Sequence, residues 1–190
     1  MGRIVVTEFV TLDGVMEAPG GEPGHPHTGW VARTPDAGQM GYKLEETLAA
    51  ESLLIGRVTY ESFAGAWPQR TDGVGFADKM NAMPKFVVST TLVDPEWNNS
   101  TVISGDVASA IASLKAERDG IILVAGSRTL VHFLMEHDLV DEYRLMVFPV
   151  VLGSGRRLFA ESPRQTPLTL TGATTYDSGV VVQVYEPARA

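Results

Sequence analysis

The fold is indicated most clearly by residues 53–62, which read Leu53-Leu54-Ile55-Gly56-Arg57-Val58-Thr59-Tyr60-Glu61-Ser62. An apolar run ends in Gly56-Arg57, and Thr59 follows where a helix is expected to begin. The order is therefore buried strand, tight turn and helix. Gly56 lets the backbone approach a ligand closely. The helix start presents unpaired N–H groups, and the guanidinium of Arg57 suits phosphate oxygens, so the stretch predicts a site for an anionic, nucleotide-like group.

Length and composition predict one domain covering residues 1–190. The chain is 44% hydrophobic and 20% charged, which is ordinary for a globular protein. A chain of this length buries roughly 70% of its unfolded surface, so it needs no metal or disulfide to fold. No window approaches about eighteen uninterrupted apolar residues, and the N-terminus shows no apolar signal region. We therefore expect a cytoplasmic protein with no membrane partner.

Charge and residue usage exclude several classes of function. The formal net charge of -8 argues against binding to nucleic acid, whose phosphates require clustered Lys and Arg. The chain contains no cysteine, which excludes thiol catalysis, disulfides and Cys-ligated metals. His25 and His27 are neighbours in a flexible loop, but nothing near them supplies a third ligand. No metal site is predicted.

Strand and helix signals alternate along the chain and predict an α/β fold. The run at residues 121–124 is continuously apolar, which is typical of a strand buried on both faces. We expect a mostly parallel central sheet with helices on both faces and an antiparallel hairpin at its C-terminal edge. The predicted strands are 3–10, 52–56, 85–89, 101–103, 121–124 and 140–148, followed by a hairpin of 168–176 with 180–187.

The helix signals are clearest at residues 36–50. Asp36 is the expected N-cap, and Met40, Leu44 and Leu48 line one apolar face at four-residue spacing. The other predicted elements are helices beginning at Thr59, Asp106 and Gly126, a long Pro- and Gly-rich loop at 17–35, and a loop at 65–84 with one helical turn.

Three of the predicted strands are followed by small, hydroxyl-bearing or basic residues. These are the segments 56–59, 89–91 and 125–129. Open α/β sheets bind ligands at the carboxyl ends of their strands. Each segment alone also has a structural interpretation, as an ordinary turn, a solvated cap or a close helix contact. Together they favour a site for phosphate and ribose groups.

These motifs also carry a family resemblance. LIGRVTYESF (54–63), KFVVSTTL (85–92) and ILVAGSRTLVHFL (122–134), in this order and spacing, resemble the dihydrofolate reductase superfamily. The chain is most similar to the reductase domain of the bifunctional riboflavin-biosynthesis deaminase-reductase. Residues 11–14 and 60–68 look like that branch, as does FPVVLGSGRRLF (148–159), which has no counterpart in true dihydrofolate reductases. The resemblance covers essentially residues 3–186.

The resemblance implies a three-layer dihydrofolate reductase-like fold that uses NADPH. The family usually has two or three consecutive glycines where this chain has Ala125-Gly126-Ser127, a mild departure because small residues still permit close approach. The implied cofactor residues are Gly56, Arg57 and Thr59 for the adenosine-side phosphates, Ser89, Thr90 and Thr91 for the adenine ribose and its 2′-phosphate, Gly126, Ser127, Arg128 and Thr129 for the pyrophosphate, and Phe9, Asp13, Gly14 and Val15 beside the nicotinamide.

The substrate side lacks one expected group. True dihydrofolate reductases carry a carboxylate on the first long helix, and the matching position here falls near Met40, one turn after Asp36. Met40 cannot protonate a pterin, and Asp36 is expected to cap the helix, so folate reduction is disfavoured. Asp13 is the candidate catalytic acid, or it only stabilises its turn. The substrate-side candidates are Trp30, Asp36, Met40, Phe148 and Arg156. Trp30 is either a stacking surface for the substrate or a ring of the core. Arg156 either contacts an anionic substrate or belongs to a structural loop.

The expected activity is hydride transfer from NADPH to a C=N or C=O carbon of a small planar heterocycle. Folate reduction is one alternative. A binding protein that keeps the nucleotide pocket without turnover is another. The resemblance also implies a homodimer, with either the 140–151 segment or the C-terminal hairpin at the interface.

Overall fold

A central β-sheet organises the computed structural model, which describes residues 1–159 and 165–188. Within these residues the sheet has eight strands: β1 (Arg3–Thr11), β2 (Ala50–Gly56), β3 (Lys85–Val88), β4 (Ser100–Ile103), β5 (Ile121–Val124), β6 (Glu142–Phe148), β7 (Leu168–Thr175) and β8 (Val181–Pro187). Their order across the sheet is β4-β3-β2-β5-β1-β6-β8-β7.

The strands from β4 to β6 run parallel, and the last two run antiparallel to their neighbours. β5 lies between β2 and β1, and its apolar side chains are largely buried, as the continuous apolar run predicts. β6 is hydrogen-bonded on both sides, whereas β7 forms an edge. The predicted α/β architecture with an antiparallel C-terminal hairpin is confirmed.

Five α-helices and two short 3-10 segments connect the described strands. Asp36 is confirmed as an N-cap, because its carboxylate accepts from the N–H groups of Gly38 and Gln39. Asp106 likewise accepts from the N–H of Ser109. Nowhere in the described part of the chain is a helix long and apolar enough to cross a membrane. The helices are α1 (Ala37–Ala49), α2 (Arg57–Ala66), α3 (Phe76–Ala82), α4 (Val107–Glu117) and α5 (Arg128–Glu136), with 3-10 turns at Trp30–Arg33 and Trp67–Gln69.

Three predictions about helices were wrong, one of them because the helix expected from Gly126 begins at Arg128, with Ser127 as its N-cap. α2 begins at Arg57 and not at Thr59, because Gly56 itself acts as the N-cap in an extended conformation. The segment 65–84 holds α3 in addition to a 3-10 turn. The reason is that the carboxylate of Asp72 accepts from backbone N–H groups of Phe76 and Ala77, which stabilises the first turn of α3.

Helix α1 packs on the sheet with a different face from the one its apolar spacing suggests. Met40 is 51% exposed and Leu48 is 46% exposed. The buried side chains of α1 are instead Gln39, Glu46 and Thr47. Polar contacts to the sheet therefore set the rotation of this helix, and two residues of its apolar stripe, Met40 and Leu48, are exposed while Leu44 is half-buried.

Each face of the sheet carries its own apolar core. Alternate side chains of β1 point to opposite faces, so Ile4 and Val6 join one core and Val5 joins the other. The first core lies under α4 and α5, and the second lies under α2 and α3. This three-layer packing brings the carboxyl ends of the parallel strands to one edge of the sheet.

Candidate functional site

A groove of about 440 Å³ lies where β2, β3 and β5 end. Its position agrees with the general rule that open α/β sheets bind ligands at the carboxyl ends of their strands. Residues from all three predicted strand ends meet in this one groove. Its walls are Gly56, Arg57, Val58, Val88, Ser89, Thr90, Thr91, Val107, Ser127, Thr129, Leu130 and Phe133.

Two glycines allow the loops of the groove to pack against each other. A Cβ atom on Gly56 would lie 2.3 Å from Ser127 Oγ, and one on Gly126 would lie 2.8 Å from Thr59 Oγ1. Gly126 has a φ of 69°, which side-chain-bearing residues rarely adopt, and the Gly126–Ser127 peptide bond is cis. The chain thus forms a narrow backbone cradle between the starts of α2 and α5, which fits the close approach that a dinucleotide requires.

The polar groups of the groove suit phosphate and ribose. Arg57 Nη1 donates to both carboxylate oxygens of Glu61 at 2.7 and 3.0 Å, which leaves its other N–H donors at the rim of the groove. Ser89 Oγ accepts from the N–H groups of Thr91 and Leu92 and so stabilises the turn after β3. The start of α5 adds unpaired N–H groups and a positive helix-dipole end.

Among the predicted phosphate-side residues, Thr59, Gly126 and Arg128 lie beside the groove and not in its walls. Thr59 packs over Gly126 and supports the loop from the α2 side. Arg128 Nε donates to the carbonyl of Arg157 at 2.9 Å, so its guanidinium is held at the 153–158 loop.

The predicted nicotinamide and stacking residues form a closed aromatic cluster. The rings of Phe9 and Trp30 each meet the ring of Phe148 edge-on, with centroids 5.7 and 5.3 Å apart. Trp30 and Phe148 are buried, and Trp30 Nε1 donates to the carbonyl of Glu17. Val15 is also buried and forms a backbone bridge to Arg157. Trp30 and Phe148 are therefore core rings in this structure and present no open stacking face.

The carboxylate of Asp13 is hydrogen-bonded within its own turn after β1 and to the backbone at residues 152 and 153. Its carboxylate accepts from Thr11 Oγ1 at 2.6 Å and from the N–H groups of Leu152 and Gly153 at 3.2 and 2.9 Å. The hydroxyl of Thr11 and these backbone donors lower the pKa of Asp13. The contacts favour the turn-stabilising role over that of an acid, which stays a prediction.

The remaining substrate-side candidates lie at two separate places. Asp36 and Met40 line a second depression, of about 520 Å³, between α1 and the 17–35 loop. Asp36 also accepts from the N–H of Ser178, and hydrogen bonds from the backbone, that of Gln39 first, lower its pKa. Arg156 is on the 153–158 loop, with Nε 3.4 Å from a carboxylate oxygen of Glu17.

One buried acid beside the groove escaped sequence analysis. Glu8 lies on β1, is only 7% exposed, and its Oε1 accepts from the N–H of Gly126 at 2.7 Å. Burial raises the pKa of Glu8 to about 8. A signal was available, since a glutamate in the middle of the apolar segment 3–10 is unusual for a strand buried on both faces.

A second buried polar cluster also escaped sequence analysis. Lys43 Nζ on α1 donates to Thr7 Oγ1 at 2.6 Å and to Glu46 Oε2 at 2.5 Å. Glu46 also accepts from the Thr7 hydroxyl, and Arg144 on β6 approaches its other oxygen at 3.5 Å. This cluster anchors α1 to the sheet and explains the exposed apolar stripe of that helix.

No group of three or more potential metal ligands comes together in residues 1–159 and 165–188. The rings of His25 and His27 lie with centroids 5.8 Å apart. His25 Nδ1 accepts from the N–H of His27, so it is already engaged in the local turn.

The sheet order and the groove define an α/β domain of the dihydrofolate reductase type. A family model for the RibD C-terminal domain matches residues 3–182, and the chain belongs to this family. Family and fold are those of reductase domains, which confirms the resemblance drawn from the sequence motifs.

Individual relatives agree with this assignment. The chain is 28% identical over 186 residues to "Uncharacterized protein YyaP" of Bacillus subtilis (strain 168), covering 96% of this chain and 94% of that protein. The crystal structure of a putative riboflavin biosynthesis protein from Shewanella sp. PV-4 has a TM-score of 0.75 at 20% identity, covering 98% and 99% of the two chains. Dihydrofolate reductase from Enterococcus faecalis, complexed with NADP(H) and RAB-propyl, has a TM-score of 0.61 at 13% identity, covering 98% and 97%. Both of these solved structures are similar to this chain in fold.

Proposed function

We propose that this protein is an NADPH-dependent reductase that transfers a hydride to a small planar heterocyclic substrate. The observation that carries the proposal is the single groove in which Arg57, Ser89 and Ser127 meet at three strand ends. Membership of the RibD C-terminal domain family supports it, as does the fold shared with a dihydrofolate reductase that binds NADP(H).

In this proposal the groove holds the adenosine half of the cofactor. Arg57 and the hydroxyls of Thr90 and Thr91 bind the 2′-phosphate, and the N–H groups at the start of α5 bind the pyrophosphate. When bound, NADPH supplies the hydride. The protein orients the two reactants and excludes water, and the half-buried ring of Phe9, which packs edge-on against the buried Phe148, forms part of the apolar wall.

Reduction of folate itself is not favoured by the substrate side. The helix position expected to carry a carboxylate falls near Met40, whose side chain is half exposed. Asp36, one turn earlier, is engaged as an N-cap and by the N–H of Ser178. A substrate that needs no fixed helix carboxylate, as in the riboflavin branch, is the better match.

Cofactor binding is tested by titrating NADPH and NADH into the wild type and Arg57→Ala. Loss of a guanidinium–phosphate contact should weaken NADPH by about tenfold or more and NADH much less. Arg70→Ala is the matched control, because Arg70 stacks on the Trp67 ring outside the groove. Equal losses for both cofactors would refute the role of Arg57, and absence of NADPH binding to the wild type would refute the proposal.

Turnover is tested by following NADPH consumption with a panel of pterins, pyrimidines and quinones. Consumption with a pyrimidine of the riboflavin branch is the expected result. Tight NADPH binding without consumption on any substrate would instead favour a binding protein that has kept only the nucleotide groove.

A homodimer remains part of the proposal. Of the two candidate segments, β6 is hydrogen-bonded on both sides and offers no free edge, whereas β7 is an edge strand. Leu170 on β7 is 54% exposed, so the C-terminal hairpin is the better candidate for the interface. Sedimentation of the wild type and Leu170→Lys tests this.

A further inference from the structure

Glu8 lies at the point where two parallel strands separate. β1 pairs with β5 through Val6 and Val124, and beyond them β1 continues only alongside β6. Beyond this pair the two strands are no longer hydrogen-bonded to each other, and the space between their carboxyl ends, which the Glu8 side chain spans, is called the crevice below. Glu8 reaches across this crevice, and its Oε1 takes the N–H of Gly126, which follows β5.

Few of the described hydrogen-bond donors or cations lie near the Glu8 carboxyl to stabilise its ionised form. Among the described residues, the N–H of Gly126 is the one hydrogen-bond donor placed on it. Burial dominates and raises the pKa of Glu8 to about 8, although the Gly126 hydrogen bond and the charge of Lys43 lower it and Glu46 raises it. At neutral pH the group is therefore a neutral carboxylic acid.

The charged groups on neighbouring elements are engaged with each other. On α1, Lys43 and Glu46 form an ion pair, and on β6, Arg144 pairs with Glu142. On α5, Arg128 and His132 bind the carbonyls of Arg157 and Leu158. The segment 121–124 of β5 contains no titratable residue. In the described part of the chain no cation is therefore placed directly on the Glu8 carboxyl.

Glu8 and the groove act on the same loop from opposite sides. Thr59 packs against Gly126 from α2, and Ser127 lies against Gly56 in the groove wall. On the β1 side, the same loop is held by Glu8. A change in the charge of Glu8 therefore acts on the Gly126–Ser127 loop, which leads into the phosphate-binding start of α5 in the proposed function.

We propose that Glu8 is a positioning residue of the cofactor site, which holds the Gly126–Ser127 loop through the N–H of Gly126 and whose ionisation weakens the binding of a dinucleotide phosphate. The inference rests on the proposed function. Its physical basis is the repulsion between a buried carboxylate and the phosphate charge, which is strong in a poorly solvated crevice. The side chain would act through the loop and not on the reacting atoms.

Linkage sets the direction of the pH effect. If phosphate binding favours the protonated acid, then the bound cofactor raises the pKa of Glu8 further, and affinity falls once Glu8 ionises in the free protein. The affinity for NADPH should be nearly constant below the Glu8 midpoint, which lies at about 8. Above it, affinity should fall by about tenfold per pH unit, as for one linked proton.

The test is a series of NADPH titrations from about pH 7 to about pH 10 on the wild type, Glu8→Gln and Glu142→Gln. Glu8→Gln keeps an acceptor for Gly126 without a titratable group, so it should retain the affinity seen at low pH and lose the decline. Glu142→Gln is the matched control, since Glu142 is a buried acid on the neighbouring strand, and it should keep the wild-type profile.

A direct readout accompanies the titrations. Carbon-13 NMR of the glutamate carboxyls should show one resonance that titrates at about 8 in the wild type, is missing in Glu8→Gln, and titrates higher with NADPH bound. The inference is overturned if that resonance titrates in the usual glutamate range, or if Glu8→Gln declines with pH like the wild type. If Glu8→Gln fails to fold, a flat wild-type affinity profile overturns it alone. Absence of NADPH binding at every pH overturns the proposed function as well.

Discussion

The groove side and the crevice side of this sheet edge are built in different ways. The groove consists of short strand–turn–helix segments, in which small residues such as Gly56 and Ser127 bring backbones together. The crevice side depends on polar contacts between distant parts of the chain, such as Glu8 with Gly126 and Asp13 with Gly153. The proposed phosphate site thus depends on backbone geometry, whereas the crevice side depends on individual polar side chains.

The largest expected effect comes from breaking the polar cluster under α1. Lys43→Met keeps much of the side-chain length and removes the charge that pairs with Glu46, whose carboxylate is almost fully buried. Breaking a buried ion pair in this way should lower the free energy of unfolding by about 3–5 kcal/mol. NADPH affinity should stay within a few-fold of the wild type, because neither residue lines the groove. Urea unfolding and cofactor titration measure the two quantities.

Lys79→Met on α3 serves as the control for this change. The structure gives Lys79 no ion pair among the described residues, so its loss should alter stability by less than about 1 kcal/mol. If Lys43→Met abolished NADPH binding in a folded protein, the groove would depend on the polar cluster under α1, which would contradict this prediction.

An intermediate effect is expected from closing the backbone cradle. In Gly56→Ala the new Cβ would lie 2.3 Å from Ser127 Oγ and 3.1 Å from Ser127 Cβ, so the Ser127 hydroxyl must rotate away and its Cβ must shift by a few tenths of an ångström. Crowding of this kind should weaken NADPH binding by about tenfold, whereas the φ of Gly56 itself is acceptable for alanine. Fluorescence titration measures the loss.

A control and a rescue make this prediction sharper. Gly65→Ala on α2 meets no atom within 4 Å and should leave NADPH affinity unchanged while stabilising the helix slightly. Adding Ser127→Gly to Gly56→Ala removes the clashing atoms and should restore part of the lost affinity. No rescue in the double variant would mean that the clash with Ser127 is not the cause.

Local signals explain what could be predicted from the sequence. Several features involve only residues that are close together in the sequence, and the fold and the groove could be predicted from them. They are the helix caps Asp36 and Asp106, the apolar run of β5 and the Gly56-Arg57 turn. The rotation of α1 did not follow, because a buried ion pair with Glu46 outweighs the apolar stripe.

Contacts that follow no usual local pattern explain what could not be predicted from the sequence. Asp72 caps α3 from four and five residues away, a longer reach than the usual capping spacing. Glu8 acquires its environment only when β5 and the loop after it are placed beside β1, 118 positions along the chain. Propensity and periodicity describe neither contact.

The smallest expected effect concerns Asp13, on the crevice side. Asp13→Asn keeps one acceptor oxygen in place of two, so it cannot accept all three hydrogen bonds that the carboxylate takes from the Thr11 hydroxyl and from the N–H groups of Leu152 and Gly153, and the loss should cost about 1–2 kcal/mol of unfolding free energy at neutral pH. The pKa of Asp13 is lowered in the folded protein, so its stabilisation is present above the unfolded value of 3.8 and is lost as pH falls through the folded value. The difference between the wild type and the variant should therefore shrink on acidification.

The Asp13→Asn variant also tests whether the Asp13 carboxylate has a structural or a catalytic role. Urea unfolding at several pH values measures the stability difference, and Asp119→Asn is the control, because Asp119 pairs with the N-terminus at a fully solvated site. If Asp13 is structural, the variant keeps NADPH affinity and any NADPH consumption within a few-fold. A loss of consumption by about 100-fold with unchanged stability would instead make Asp13 the proton donor, since proton transfer contributes about that much to rate. The crevice side would then carry chemistry on the same contacts that hold its loops together.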